Sequence, residues 1–213
     1  MLRAVSGRRA SARRARSAAR PAAKNLKTAV LNAARRLCFA HGPDGVTARR
    51  IAAEVGCSAT AIYLYYDSVD HVLHGLRLEG HTLLGEYLRR PPPALGAVER
   101  LTGMQQEYFR FAQEHPSYFS LMFLARFGDG PLLDVFRREG DTLMIVRDVA
   151  AEGIARGAIR ADADPLLVAN HVWLAVHGLA AAMVSGHLSV TAPERADALL
   201  ERVVAATASW LRG

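Results

Sequence analysis

At 213 residues, 51% of them hydrophobic, the chain has room for one or two small domains and enough apolar side chains for a sizeable core. Its formal net charge is +7, but seven of its 27 Lys and Arg (Arg3, Arg8, Arg9, Arg13, Arg14, Arg16 and Arg20) fall within residues 1–20, where there is no acid; the other 20 are matched by 20 Asp and Glu. Only two cysteines are present, and every long apolar run is interrupted, which argues against a disulfide-stapled scaffold and against a membrane span.

Residues 1–22 are Ala, Arg, Ser and Gly with few large apolar groups, so they cannot bury enough surface to offset their ordering entropy. They are expected to be a disordered arm. Beside a DNA-binding unit such an arm adds sequence-independent attraction to phosphates. An inert extension and an organelle transit peptide are the alternatives, since the segment is Arg-rich, contains Ser and lacks acids.

The first helix is predicted from about Lys24 to Ala40, with Leu26, Val30, Ala33, Ala34, Leu37 and Cys38 on one stripe. His41-Gly42 ends it, Pro43-Asp44-Gly45 turns the chain, and Val46 re-enters the core. Cys38 and Cys57 have neither the spacing nor the neighbours of a zinc or redox site, and read as free thiols in a reducing cytoplasm.

From Thr47 to Tyr66 the sequence TARRIAAEVGCSATAIYLYY predicts two short helices around a tight turn. Thr47 caps the first, whose apolar face is Ile51, Ala52 and Val55; Gly56 breaks it in a left-handed conformation. Ser58 caps the second, which turns Ile62 and Tyr66 inward. Ala52-x3-Gly56-x5-Ile62 is the spacing of a helix-turn-helix: a small residue where the helices cross, glycine at the turn, and a branched apolar residue to hold the second helix down. The outer face of that helix carries Thr60, Tyr63 and Tyr65, which are hydrogen-bonding side chains without carboxylates and suit bases and phosphates in a major groove. The plain alternative is a helical hairpin inside an all-α core. Between Lys24 and Asp70 there are six basic residues against four acidic, a mildly basic balance that suits a phosphate-facing module.

In AARRLCFAHGPDGVT, RRIAAEVGCS and AIYLYYDS, followed by an apolar helix start, the chain resembles the N-terminal DNA-binding domain of the TetR family of transcriptional repressors over residues 24–76. The resemblance implies a three-helix head and a fourth helix that links it to a ligand-binding body. It implies that Thr47 and Tyr63 contact phosphates, that Arg49, Thr60 and Tyr65 lie at or near the bases, and that Lys24 touches the backbone. Ser58 and Ala59, which open the second helix, complete the expected DNA-binding set. Val69 stands where the family usually has a phosphate-gripping lysine, and Leu64 and Tyr65 replace more usual aromatic and histidine choices, so the operator sequence does not transfer from relatives.

A fourth helix is predicted from about Val69 to Arg90, with Val72, Leu73, Leu76, Leu83, Leu84 and Leu88 as its apolar face, ending at Pro91-Pro92-Pro93. His71, His74 and His81 on it do not share a metal-binding spacing and are expected to be solvated or linker-facing. The remainder shows helical patterning without strand alternation. Helices are predicted over Leu95–Glu114, Tyr118–Phe127, Leu132–Arg156, Pro165–His187 and Pro193–Leu211, with a turn at Gly128-Asp129-Gly130-Pro131. Within the penultimate helix, Leu166–Met183 comes nearest to a continuous apolar run but contains Asn170, His171, His177 and Gly178.

Trp173-x3-His177-Gly178, with EHPSYFSLMF upstream and the GxIR segment, resembles the WHG signature of one TetR-family C-terminal subclass. Read from the residues alone, Gly178 lets another helix approach closely, and Trp173 and His177 face one space, either a packed core or a ligand cavity. Phe109, Phe119, Met122, Phe123 and Met144, with Trp173 and His177, are the candidate pocket walls. The last two helices are rich in Ala, Leu and Val, and the resemblance implies that they pair with a second subunit, with Leu174, Leu179, Leu199 and Val203 in the interface. A twofold dimer presents two recognition helices about 34–36 Å apart, one turn of duplex, or a multiple of that.

The expectation is thus an all-α fold of about nine helices: a helix-turn-helix head at 23–68 after the arm at 1–22, and a ligand-binding and dimerisation bundle at 69–213. The function expected is a cytoplasmic, nucleoid-associated bacterial repressor. Its homodimer binds a near-palindromic double-stranded operator and is released by a small lipophilic effector. No cofactor, metal or membrane partner is expected. The sequence contains no nucleophile elbow, glycine-rich phosphate loop or metal spacing that would support an enzyme. A sequence-nonspecific DNA-binding protein that uses the Arg-rich arm is the alternative.

Overall fold

The computed structural model describes residues 25–125, 142–188 and 195–213, and all of its regular structure there is helical. The arm at 1–22, Lys24, the 128–131 turn and the expected helical stretch from Leu132 to Asp141 lie outside the described residues. The chain divides into two compact units, the first ending at Leu76 and the second beginning at Arg77, within one continuous helix.

The first unit opens with α1, residues 25–41, whose stripe Val30, Ala33, Ala34, Leu37 and Cys38 is buried. Gly42 follows at φ 74 and donates its N–H to the Cys38 carbonyl, and a 3-10 turn at Pro43–Gly45 leads to buried Val46. Helix α2, Ala48–Val55, begins where the Thr47 hydroxyl accepts from Arg50 N at 3.2 Å, and ends at left-handed Gly56. Helix α3, Ala59–Ile62, starts where the Ser58 hydroxyl accepts from Ala61 N. The predicted second helix ran to Tyr66. Instead the chain tightens after Ile62, whose carbonyl accepts from both Tyr65 N and Tyr66 N, so α3 is a single turn with a 3-10-like end. Ile62 and Tyr66 are still buried, and the Tyr66 hydroxyl donates to the Lys27 carbonyl on α1.

Helix α4, Val69–Leu88, is capped by the Ser68 hydroxyl, which accepts from His71 N at 3.0 Å. It ends two residues short of the predicted Arg90, because a residue before proline is disfavoured in the α region. Gly96 opens α5, Ala97–Glu114, two residues later than predicted, after a turn in which Leu95 N donates to the Pro92 carbonyl. Pro116 then starts α6, Pro116–Phe119, which runs on as a π-turn, Ser120–Leu124, closed by Ala125 N on the Ser120 carbonyl. The predicted regular helix across this segment is replaced by that wider turn.

Helix α7, Thr142–Ala155, ends at Gly157 with φ 69, and Ile159 returns to the core. Asp164 caps α8, Pro165–Val184, by accepting from Leu166 N and Leu167 N. The last helix is α9, Ala196–Arg212. Helix α8 packs against α5, α7 and α9 and is, among the described residues, the one helix long and apolar enough to cross a membrane by length and composition. Gln105 ties three of these helices together: its Nε2 on α5 donates to the Val172 carbonyl on α8 at 2.9 Å and to Thr207 Oγ1 on α9 at 3.0 Å.

One expectation is corrected here. Among the described residues Gly178 is not a point of close helix approach, because a Cβ added there would meet none of them within 4 Å. Close approaches lie at Gly153, where a Cβ would meet Ala97 and Ile159 at 2.6 Å, and at Gly80, under Met122 and Tyr118.

Candidate functional site

Two places carry the residues singled out above. In the first unit, caps and turn leave one side of α2 and α3 open. Thr47, Arg49, Ser58 and Thr60 are exposed, Tyr63 is 51% exposed, and Ala59 and Tyr65 are half-buried. The Thr47 and Ser58 hydroxyl oxygens accept from their own helices, which leaves each O–H as a donor. Leu64, which the sequence reading did not assign to this set, is 75% exposed between Tyr63 and Tyr65. A large apolar side chain in that position can contact a thymine methyl. Its signal in the sequence is its place beside the tyrosines, where the family more often has an aromatic residue. Val69, in the usual lysine position, is half-buried at the start of α4.

In the second unit a cavity of about 300 Å³ opens between helices. Helix α4 lines it with His81, Leu84 and Leu88, and α5 with Met104, Gln105 and Tyr108. Phe123 of the π-turn, Thr142, Leu143 and Val146 of α7, and Val172, Trp173 and Val176 of α8 complete the wall. Helical spacing of three and four accounts for each set: on α8, Val172 and Val176 recur one turn apart with Trp173 beside them.

Phe123 and Trp173 therefore stand on the cavity wall, and five other candidates do not. Phe109, Phe119 and Met122 are buried in the packing, at 1%, 0% and 3% exposure. Met144 is half-buried on α7 but turned away from the face of Leu143 and Val146, because adjacent residues point about 100° apart on a helix. His177 sits behind the wall. Its Nδ1 is 2.8 Å from the Tyr108 hydroxyl, which accepts from Trp173 Nε1 at 3.2 Å, and its ring stacks on Phe119 at 5.6 Å between centroids. Trp173 and His177 do face one space, and Tyr108 fills it.

Sequence reasoning missed His81, Gln105 and Tyr108 in this role. Gln105 had a legible signal, as a lone amide on the apolar face of Leu101, Met104 and Tyr108. His81 corrects an expectation: it is not solvated but 7% exposed. Burial, and then the nearby Arg77 charge, push its pKa down to about 4, so it is neutral at pH 7. Burial also lowers His177 and raises the Tyr108 phenol, so that phenol keeps its proton to offer to a neutral His177. Among the described residues no cluster of three His, Cys, Asp or Glu could hold a metal ion.

Family models match most of the chain. The model of the tetR family of bacterial regulatory proteins matches residues 30–76, and that of tetracyclin repressor-like C-terminal domains matches residues 101–207. No curated protein matches by sequence. Among solved structures, a protein of unknown function from Rhodococcus sp. RHA1 is similar with TM-score 0.72 and 22% identity over 88% of this chain and 96% of that one. The fatty acid degradation regulator FadR from Bacillus halodurans is similar with TM-score 0.67 and 18% identity over 88% and 96%. The transcriptional regulator FadR from Bacillus subtilis, in complex with stearoyl-CoA, gives TM-score 0.65 and 17% identity over 83% and 97%. These identities establish a shared fold, while the two family models, one of them covering half of the chain, establish kinship. The chain belongs to the TetR family of bacterial transcriptional regulators.

Proposed function

We propose that this regulator is a ligand-responsive repressor that acts from the cytoplasm, on the nucleoid. As a homodimer it binds a near-palindromic operator through the exposed side of α2 and α3, with Thr47 and Tyr63 on phosphates and Arg49, Thr60 and Tyr65 at or near the bases. Lys24 and the opening residues of α3, Ser58 and Ala59, complete the contact. A small lipophilic molecule in the cavity releases it. Helices α8 and α9, with exposed Leu174 and Leu199 and half-buried Leu179 and Val203, pair with the second subunit.

The observation that carries this reading is the apolar cavity on α4. That helix begins in the unit bearing the DNA-facing residues, and its later residues His81, Leu84 and Leu88 form one wall of the cavity. A ligand that fits only one setting of α4 biases the angle of that helix, and with it the two recognition helices. The coupling equals the ligand's differential affinity for the two states, typically ~1–3 kcal/mol. The solved relative described as a fatty acid degradation regulator, and the one in complex with stearoyl-CoA, support a lipophilic effector.

The test is footprinting of the purified protein on DNA upstream of its own coding region, with scrambled competitor, at ~150 mM salt. Protection of a symmetric site is the expected result. Binding that follows salt and ignores sequence would move the function to the Arg-rich arm. Deleting residues 1–22 separates the two: a specific regulator keeps its operator preference, and a nonspecific binder loses most of its affinity.

A further inference from the structure

Leu64 is 75% exposed, more than any other large apolar side chain among the described residues. An isolated leucine in water carries no message by itself; the neighbours of this one do. Tyr63 keeps helical dihedrals, φ −69 and ψ −6, so the coil of α3 carries on to Leu64. Thr60, Tyr63 and Leu64, at spacings of three and four, are all exposed, while Ile62 and Tyr66 are buried on the other side. From Val55 to Tyr66 there is no charged residue. The flanking acids are engaged elsewhere: Glu54 accepts from Arg36, and the Asp67 carboxylate lies 3.3 Å from His71 Nδ1.

A leucine has no donor for a phosphate, and it neither donates to nor accepts from a base. In the major groove the base edges present hydrogen-bond donors, acceptors and one apolar group, the C5-methyl of thymine. Against an edge without that methyl, Leu64 would strip water from polar atoms and return no hydrogen bond. Against the methyl, both partners leave water at a gain. The methyl of 5-methylcytosine is carried on the same ring carbon, so one contact serves either base.

We propose that Leu64 is a specificity-determining residue that reads a pyrimidine C5-methyl in each half-site, so that binding there favours thymine over uracil and 5-methylcytosine over cytosine. The inference rests on the reading of the open side of α2 and α3 as the operator face.

The experiment starts from a binding-site selection with the full-length protein on a random duplex pool. In the enriched sequence each thymine of one half-site is replaced in turn by uracil, which removes the methyl and nothing else, and affinity is read by fluorescence anisotropy. One thymine is expected at which uracil weakens binding about fourfold, the loss of one buried methyl, and by about the square of that when both half-sites are changed. At the same position 5-methylcytosine paired with guanine is expected to bind about fourfold tighter than cytosine paired with guanine. In Leu64→Ala both preferences are expected to vanish. In Thr60→Ser, which removes the methyl of the neighbouring threonine, they are expected to persist. The scan in the unaltered protein needs no variant to fold. An enriched site in which no thymine is sensitive to uracil, or at which methylated and unmethylated cytosine bind alike, overturns the proposal and leaves the operator reading standing. So does a preference that survives in Leu64→Ala or disappears in Thr60→Ser. A selection that enriches no sequence overturns the operator reading, and the proposal with it.

Discussion

Thr60 and Tyr63 lie three residues apart on the open side of α3, and their chemistry assigns them different tasks. Tyr63 is 51% exposed and offers one phenolic donor, which suits a phosphate oxygen that every sequence presents. Thr60 offers a methyl and a hydroxyl, which suit a base edge. Tyr63→Phe is expected to weaken binding to operator and scrambled DNA alike, whereas Thr60→Ala changes base preference at one position by about 1–3 kcal/mol. A binding-site selection run on both variants decides it; unchanged affinity and unchanged preference in both would remove this face from recognition.

His81 makes a prediction about pH at the same scale. A histidine kept neutral in the native state takes up its proton more readily once the chain unfolds. Its unfolded pKa is 6.5 and its native one about 4, so stability is full above 6.5 and declines as pH falls toward 4. The loss is on the order of 3 kcal/mol from this residue. Melting followed by circular dichroism from about pH 7.5 to about pH 4.5 should show the decline, and His81→Leu should flatten it. Some slope should remain, because burial lowers His177 in the same direction. An unchanged slope in His81→Leu would place the acid sensitivity elsewhere.

Among elements, two glycines predict opposite outcomes. Gly153 on α7 is wedged between Ala97 and Ile159, so Gly153→Ala must push two packed side chains apart and is expected to cost about 1–3 kcal/mol. Gly178 on α8 has open space around it, and Gly178→Ala should stabilise a lone protomer by about 0.5–1 kcal/mol through helix propensity. Chemical denaturation of each variant at low protein concentration checks both signs. The contrast also shows what the sequence could disclose. The helix-turn-helix was legible because its constraints are local: a Thr47 cap, a left-handed Gly56, and Ile62 at fixed spacing. The cavity was legible only in part, since periodicity tells which residues are apolar but not which helix each one meets. Phe119 and Phe123, four apart, would share a face on a regular helix. Across the π-turn at Ser120–Leu124 their rings still touch, with centroids 5.1 Å apart, but Phe119 is fully buried while Phe123 reaches the cavity wall, a difference that spacing does not disclose. Gly178 has the same lesson, because its neighbours are not fixed by the residues beside it in sequence.

At the scale of the whole molecule, the outer sides of α8 and α9 leave Leu167 at 69% exposure, Leu174 at 58% and Leu199 at 38%, and the most apolar window of α8 is only 28% buried. Large apolar side chains left in water favour association, and in a twofold interface each substitution acts twice. The double variant Leu174→Glu with Leu199→Glu therefore places four carboxylates in the proposed interface and should shift the protein to monomer in sedimentation equilibrium. Binding to a full operator should then fall by about a hundredfold or more, because the second half-site no longer benefits from the high effective concentration that the first contact provides. Binding to a DNA fragment carrying one half-site should be unchanged, since neither leucine is near α2 or α3 in the chain. That pairing of results separates loss of assembly from loss of folding, which would weaken both. A double variant that remains a dimer would move the interface off these leucines. One that is monomeric yet keeps full operator affinity would make recognition the work of a single head.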